Sequence, residues 1–280
     1  MTAPEWNAGV PIGREHLPRL AALLGETPRP ASEYCLANLY LYRTRHEYRL
    51  IDEELPFLTG RTYDGAKHVL PLGPLDESAA AKLLEGFDCI YPLGEDESRQ
   101  LSASGVFCFD FRADDSDFIY DTQRLAELSG AKAKRAQAAA FGRLGPRLAQ
   151  FDAAAAREVL AEWLDDAGRG PDHADAHECA EAIACADELG LSGVVVFLES
   201  DPVAFLLAGP PRDDDRVVHF AKGRRSLAGA YPWMFAHYAR IAGTRLLNFE
   251  QDLGNPGLAR AKRALAPLAC RPKYRLRTRE

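Results

Sequence analysis

The densest run of chemistry-bearing side chains lies near the C-terminus, where Asn248, Glu250 and Asp252 alternate and Asn255, Pro256 and Lys262 follow. Carboxylates at such a place can accept a proton from a nucleophile or orient an ammonium group. An apolar strand is predicted over residues 246–249. The next helix is predicted to open at Asn255 as N-cap with Pro256 in its first turn. The three polar groups therefore fall at a strand-to-helix junction, where loop residues held by rigid elements often carry chemistry. At about 100° per residue, Lys262 falls on the stripe of Leu258 and Leu265, while Arg260 and Arg263 point away. A lysine on an apolar stripe needs a carboxylate partner or a route to water. Glu250 and Asp252 are the expected partners, and a Lys262 that snorkels beside the stripe is the alternative.

A second constellation ends another strand. Lys222, Gly223, Arg224 and Arg225 lead to Gly229 and Tyr231 at the start of a helix. A strand end, a glycine-bearing loop and a helix N-terminus together can hold an anion through backbone N–H groups and the helix dipole. Lys132, Lys134, Arg135, Arg143 and Arg147 lie in an acid-free stretch over residues 130–147, and residues 258–279 form another. The net charge of −7 argues against a nucleic-acid protein as a whole. Two basic segments on an acidic body suit a local anionic ligand, such as a phosphate chain or an RNA end; two solvated faces are the alternative. His173, His177 and Cys179 cluster with Asp172, Asp175 and Glu178, but no second ligand pair stands at zinc spacing, so a solvated helix entrance and no metal are expected. His219 alternates with Val218 and Phe220 and reads as a core histidine. No P-loop, dinucleotide fingerprint or serine elbow is present.

With 280 residues, 47% of them hydrophobic, the chain suits one large or two ordinary domains. It has no run of apolar residues long enough for a membrane span and no leader-like pattern in residues 1–10. Its six cysteines include no C-x-x-C pair, which favours reduced thiols and a cytoplasmic location. Helices are predicted over residues 14–24, 32–43, 76–85, 95–102 and 122–129, with Ser32 as an N-cap. Strands are predicted over 46–51, 55–59, 68–72, 89–92, 106–111 and 118–120. The second half gives helices over 131–141, 153–166, 177–189, 228–241 and 256–266, and strands over 193–198, 203–208, 217–222, 246–249 and 268–276. Both halves thus run helices, three-strand meander, helix, strand, helix, strand. That order resembles an acyl-coenzyme-A N-acetyltransferase-like (GNAT) unit. The expected fold is α/β (α+β), with two tandem GNAT-like units over residues 1–120 and 121–280, each a mixed sheet flanked by helices, and a basic linking helix near 131–141.

Four patches carry a further resemblance. They are Ser32 to Tyr40 around Asn38; Phe118-Ile119-Tyr120-Asp121 with Gly130, Lys134, Arg135 and Phe141; Val218-His219-Phe220-Ala221-Lys222 with Gly229 and Tyr231; and Asn248-Phe249-Glu250-Gln251-Asp252 with Gly254, Gly257, Lys262, Pro267 and Tyr274. In order and spacing they resemble the C-terminal catalytic region of phosphatidylglycerol lysyltransferases (DUF2156). Phe249 stands where that pattern has arginine, Gln251 where it has an acid, and Ala221 where it has glutamate, so lysyl specificity does not carry over. The resemblance implies an acyl or aminoacyl transferase that moves an aminoacyl group from aminoacyl-tRNA to a hydroxyl or amine, on a lipid headgroup or small molecule. Asn248, Glu250, Asp252 and Lys262 are the catalytic candidates; Lys134, Arg135, Lys222, Arg224, Arg225, Gly229 and Tyr231 are the donor-binding ones. Beyond aminoacyl-tRNA or acyl-CoA as co-substrate, no cofactor is expected. A tRNA acceptor end and peripheral contact with lipid headgroups are the expected partners. Acyl-CoA-dependent N-acetyl transfer and non-catalytic binding of a nucleotide or RNA end are the alternatives.

Overall fold

Apolar side chains from the strands and the helices above them gather into two cores, one in each of two units. The computed structural model describes residues 8–103, 105–168 and 174–279. Unit 1 comprises residues 1–116 and 271–280, and unit 2 comprises residues 117–270. In chain order the elements are β1 (Val10–Pro11), α1 (Leu17–Glu26), α2 (Leu36–Leu41), β2 (Arg49–Ile51), β3 (Phe57–Arg61), β4 (Lys67–Pro71), α3 (Glu77–Leu84), β5 (Cys89–Leu93), α4 (Glu95–Ser102) and β6 (Phe107–Phe111). Then come β7 (Asp117–Asp121), α5 (Thr122–Ala126), α6 (Lys132–Gly142), β8 (Arg147–Gln150), α7 (Ala153–Ala167), α8 (Ala176–Ala184), β9 (Ser192–Leu198), β10 (Asp201–Ala208) and β11 (Asp215–Gly223). The chain closes with α9 (Ala230–Ala239), β12 (Leu246–Asn248), α10 (Pro256–Arg263), β13 (Ala269–Arg271) and β14 (Tyr274–Thr278).

Each unit is built on a seven-stranded mixed sheet flanked by helices, the architecture expected of a GNAT-like unit. In unit 1, β2, β3 and β4 form an antiparallel meander, and α3 returns the chain so that β5 lies parallel to β4. Phe57, Val69, Ile90 and Leu276 pack with Ala80, Leu83 and Leu101 of α3 and α4. Elsewhere in the unit is an aromatic cluster: His46 stacks on Tyr48, and the His68 ring lies edge-on to Tyr48 and Tyr91. In unit 2, β8 to β11 form the antiparallel run and α9 returns the chain so that β12 lies parallel to β11. Nearly every side chain of α9 is buried, so this helix is apolar on all sides rather than amphipathic.

The two sheets exchange a strand. β7 follows β6 in the chain, yet it lies in the sheet of unit 2, next to β12. β14 follows β13, yet it lies in the sheet of unit 1, between β5 and β6. The sequence reading placed residues 268–276 in a single strand of a unit running 121–280. Instead Pro272, which has no N–H to donate to a ladder, separates β13 from β14. The cations of β14 then meet acids of unit 1: Arg275 donates to Asp64 (2.7 Å) and Asp115 (3.2 Å), and Lys273 to Glu33 (2.8 Å). Ser32 does not cap α2, which starts at Leu36; its hydroxyl accepts from the Lys273 ammonium. The short strands β1 and β8 had no expected counterpart.

Deleting residues 271–280 is therefore expected to remove the cooperative unfolding of unit 1 while leaving unit 2 protected, as read by amide hydrogen exchange on peptides from each unit. A second expectation concerns pH. Burial pushes the His68 imidazole down to about 3, and His46 also lies below the usual histidine value. The unfolded chain binds protons below about pH 6.5 where these native imidazoles do not, so unit 1 loses stability as pH falls through that point. The denaturation midpoint should decline from pH 7 to pH 5, and His68→Phe should flatten the decline by up to about 1.4 kcal/mol per pH unit. Parallel pH profiles would contradict it.

Candidate active site

Two parallel strands of unequal length create the site. β11 has nine residues and β12 three. They pair only from Asp215 opposite Leu246 to Val217 opposite Asn248. Beyond that point Phe249 donates its N–H to Phe118, and Phe118 donates to the Glu250 carbonyl, so the chain leaving β12 follows β7 instead of β11. At the same level the register between β10 and β11 shifts, passing from Leu207 opposite Phe220 to Ala208 opposite Val218, which leaves His219 in a bulge. The result is a fork in unit 2 with its crotch at Val217 and Asn248.

Asn248 organises the crotch. It is fully buried; its amide donates to Asp117 (2.8 Å), and its carbonyl oxygen accepts the N–H of Glu250 (2.8 Å). That bond helps hold Glu250 at a φ of 58°, a region few non-glycine residues occupy. Lys262 is buried, as its place on the wheel implied, although Leu258 on the same stripe is exposed. Its hydrogen bonds reach acceptors that the wheel did not anticipate. The Lys262 ammonium donates to the backbone carbonyls of Phe249 (2.6 Å), Glu250 (3.2 Å) and Gln251 (2.6 Å). With three N–H groups directed at three carbonyls, it fastens the turn after β12. Asp252 is buried and accepts the N–H of Gly254 (3.0 Å), a turn-forming contact. The Asn255 cap is present: its side-chain oxygen accepts from Gly257 and Leu258.

Glu250 is paired with His219. Glu250 Oε1 and His219 Nδ1 lie 2.9 Å apart, with the carboxylate side chain 17% exposed and the imidazole 1%. An ionised carboxylate only accepts, so the imidazole carries its proton on Nδ1. Nε2 faces Gly209, where an added Cβ would come within 3.0 Å, so a glycine there leaves room for the ring. Glu250 is thus the more exposed member of the pair and His219 the more buried. The sequence reading had His219 as a core histidine. Its burial fits that view, but its partner stands 31 residues away and no local pattern points to it.

At the far end of β11, Lys222 is buried, donates to Asp175 (2.6 Å) and lies 4.4 Å from the Trp163 ring centroid. Tyr231 donates to the Gly223 carbonyl (3.4 Å), and burial pushes its phenol up to about 12. Arg224 is held between Glu162 and Asp201, while Arg225 is exposed. Gly229 has a φ of 96°, and an added Cβ would come within 2.3 Å of the Gln137 carbonyl oxygen, so its absence of side chain serves the approach of α9 to α6. The Ala230 N–H donates to Leu227, and Pro232 has none, which weakens the helix start as an anion cradle. On α6, Arg135 is exposed and Lys134 partly so. The fold therefore gathers Asn248, Glu250, Asp252 and Lys262 at one junction and Lys222, Gly229 and Tyr231 near the opposite end of β11. It engages Arg224 in ion pairs and leaves Lys134 and Arg135 on a separate helix. His173 lies outside the described residues; on α8, burial pushes the Cys179 thiol up to about 12. Among the described residues, the group with metal-ligand spacing is Glu158, Glu162 and Asp201, and Arg224 already pairs with two of these.

A model of the family described as phosphatidylglycerol lysyltransferase, C-terminal, matches residues 25–277. A conserved protein of unknown function from Bacteroides thetaiotaomicron VPI-5482 is similar in structure, with TM-score 0.83, 22% identity, and coverage of 96% of this chain and 98% of that one. L-PGS from Bacillus licheniformis is similar with TM-score 0.62, 16% identity, and coverage of 97% and 93%. FemX is similar with TM-score 0.62, 9% identity, and coverage of 96% of each chain. At these identities the likeness is one of fold. No curated protein matches the chain.

Lys262→Met should remove the ammonium from the carbonyls of Phe249, Glu250 and Gln251, leaving Glu250 its bond from Phe118, and destabilise unit 2 by about 2 kcal/mol. Lys262→Arg should not restore it, because a planar fork replaces three radiating N–H groups. Denaturant titration and loss of exchange protection around the turn would read this out; an unchanged midpoint would remove the clamp.

Proposed function

This chain belongs to the phosphatidylglycerol lysyltransferase C-terminal family, and from that premise we propose that its reacting centre is the fork of unit 2, where an aminoacyl group passes from aminoacyl-tRNA to a hydroxyl or amine acceptor such as a lipid headgroup or small molecule. Family and fold neighbours support acyl or aminoacyl transfer as the class of reaction. The observation that carries the finer reading is the Glu250–His219 pair, set where two parallel strands part.

In this reaction the donor's ester carbonyl lies along the edge of β11 that β12 has left. Backbone N–H groups on that edge donate to the developing oxyanion. The acceptor oxygen or nitrogen attacks the carbonyl carbon, and its proton passes to the Glu250 carboxylate. The bond from carbonyl carbon to ribose oxygen then breaks, and that oxygen takes the proton. His219 holds the carboxylate in place from behind. Lys262 does not stabilise the oxyanion, since its protons lie on backbone carbonyls; it and Asn248 fix the turn that carries Glu250. Positioning of donor and acceptor supplies much of the remaining rate.

Two observations favour aminoacyl-tRNA over acyl-CoA as donor. The start of α9 is poorly equipped for a pyrophosphate, with Gly229 against α6, Pro232 lacking an N–H and Arg224 tied to two acids. Lys132, Lys134 and Arg135 on α6 have no carboxylate partner among the described residues, which suits contact with a phosphate backbone. Contact with lipid headgroups remains part of the proposal through the acceptor.

The test is discharge of a pool of charged tRNAs with candidate acceptors, beside an arm with acyl-CoA. Glu250→Gln should slow transfer by roughly 10²–10⁴-fold. His219→Leu should slow it as well, and His219→Gln, which can still donate to Glu250, should recover part of the loss. Discharge unaffected by Glu250→Gln would remove this site. Transfer from acyl-CoA alone would replace the donor, and tRNA-end binding without turnover would favour a binding module.

A further inference from the structure

Unit 1 has a fork of its own. β4 and β5 run parallel but pair only through His68 opposite Cys89 and Val69 opposite Ile90. β4 goes on to Pro71 and β5 to Leu93. By position in the sheet this gap corresponds to the one that carries Glu250 in unit 2. Its surroundings differ, because residues 29–34 of the same chain are seated across it.

Arg29 spans the gap. Its guanidinium donates to the carbonyls of Pro71 (3.0 Å) and Gly73 (2.9 Å) at the end of β4, and to Glu97 (2.9 Å) on α4, the helix that follows β5. The Tyr34 hydroxyl donates to the Pro92 carbonyl (2.9 Å) on β5, and the Arg29 guanidinium lies 5.0 Å from the Tyr34 ring. Both side chains are buried. The segment between them is tied down as well: the Pro30 carbonyl accepts from Arg271 (2.6 Å), and Ser32 and Glu33 hold the Lys273 ammonium. A ligand entering this gap would have to strand a buried guanidinium and the carbonyls it serves, a penalty that an uncharged ester or thioester carbonyl cannot offset.

We infer that the strap of residues 29–34 closes the fork of unit 1 to any acyl or aminoacyl donor, so that the chain takes one donor only, at the fork of unit 2. The inference rests on the transferase reading above and adds its stoichiometry and its location. Arg29 has the chemistry of a phosphate-binding residue. In this fold it is an internal plug.

The experiment titrates the full chain with photoreactive, non-transferable donor analogues, one an amide-linked aminoacyl-adenosine and the other a thioether acyl-CoA. Each titration is followed by irradiation and peptide mapping. The expected result is one equivalent bound per chain for the analogue that binds, with crosslinks within residues 117–270. Two equivalents, or crosslinks on residues 67–73 or 89–97, would overturn the inference. Binding of neither analogue would overturn the donor reading itself, and the inference with it. Arg29→Ala, provided it folds, separates plug from ligand contact: donor affinity should stay within about twofold of the parent while unit 1 unfolds at lower temperature. A tenfold loss of affinity with the fold retained would make Arg29 a donor contact and reject the plug. Should that variant fail to fold, stoichiometry and crosslink position in the parent chain decide.

Discussion

Parallel strands that share an edge briefly and then part leave backbone groups turned toward a gap, and a fold must satisfy them. This chain meets the demand with buried cations brought from elsewhere in the sequence. In unit 2 the Lys262 ammonium gathers the carbonyls of Phe249, Glu250 and Gln251. In unit 1 the Arg29 guanidinium gathers those of Pro71 and Gly73. The two solutions have opposite results. Lys262 sits behind its turn and leaves the Glu250 carboxylate open, whereas Arg29 lies in the gap and fills it. Similar topology therefore leaves a carboxylate partly exposed in one unit and a gap spanned by a guanidinium in the other, decided by where one long cationic side chain enters.

Charge around the fork of unit 2 is similarly divided. Near the end of β11 the cations bring their own acids, Lys222 with Asp175 and Arg224 with Glu162 and Asp201. These pairs keep the local field small and fix side chains around Trp163 and Tyr231. Among the described residues, the cations of α6 have no such partner. A balanced centre with a basic helix in the same unit lets long-range attraction act on a polyanion without pulling phosphate into the place where carbonyl chemistry is proposed. The positive φ of Glu250 fits this picture. Backbone held in a sparsely populated region marks a turn that is over-determined by its contacts, here Asn248, Phe118 and Lys262.

Much of this was legible in the chain, and the parts that were not share a cause. Local signals were good: Asn255 caps its helix, the meander in each half appears in order, and Lys262 points inward. The carbonyls that Lys262 serves were not foreseen, because side-chain types suggest carboxylates, while main-chain acceptors are carried by every residue. The Glu250–His219 contact joins elements far apart in sequence, and a histidine between two apolar residues of a strand gives no hint of it. Gly229 was read as a phosphate-loop glycine, yet its missing side chain serves the approach of two helices. Ser32 was read as a cap because its neighbours favour one, but the Lys273 ammonium, which arrives from the other end of the chain, claims its hydroxyl.

That last contact belongs to a wider feature, the crossing of β7 and β14 between the two sheets. A ribosome delivers residues in order, and the strand that completes the sheet of unit 1 comes after the whole of unit 2. Unit 2 has its whole sequence through Cys270 before then. The unit that is begun first is therefore finished last: until β14 has emerged, β5 and β6 lack the strand that lies between them, and Glu33 and Asp115 wait for Lys273 and Arg275. Nascent unit 1 must wait with an unfilled slot in its sheet, open to any other extended segment that reaches it, so the order of synthesis and the order of assembly run in opposite directions.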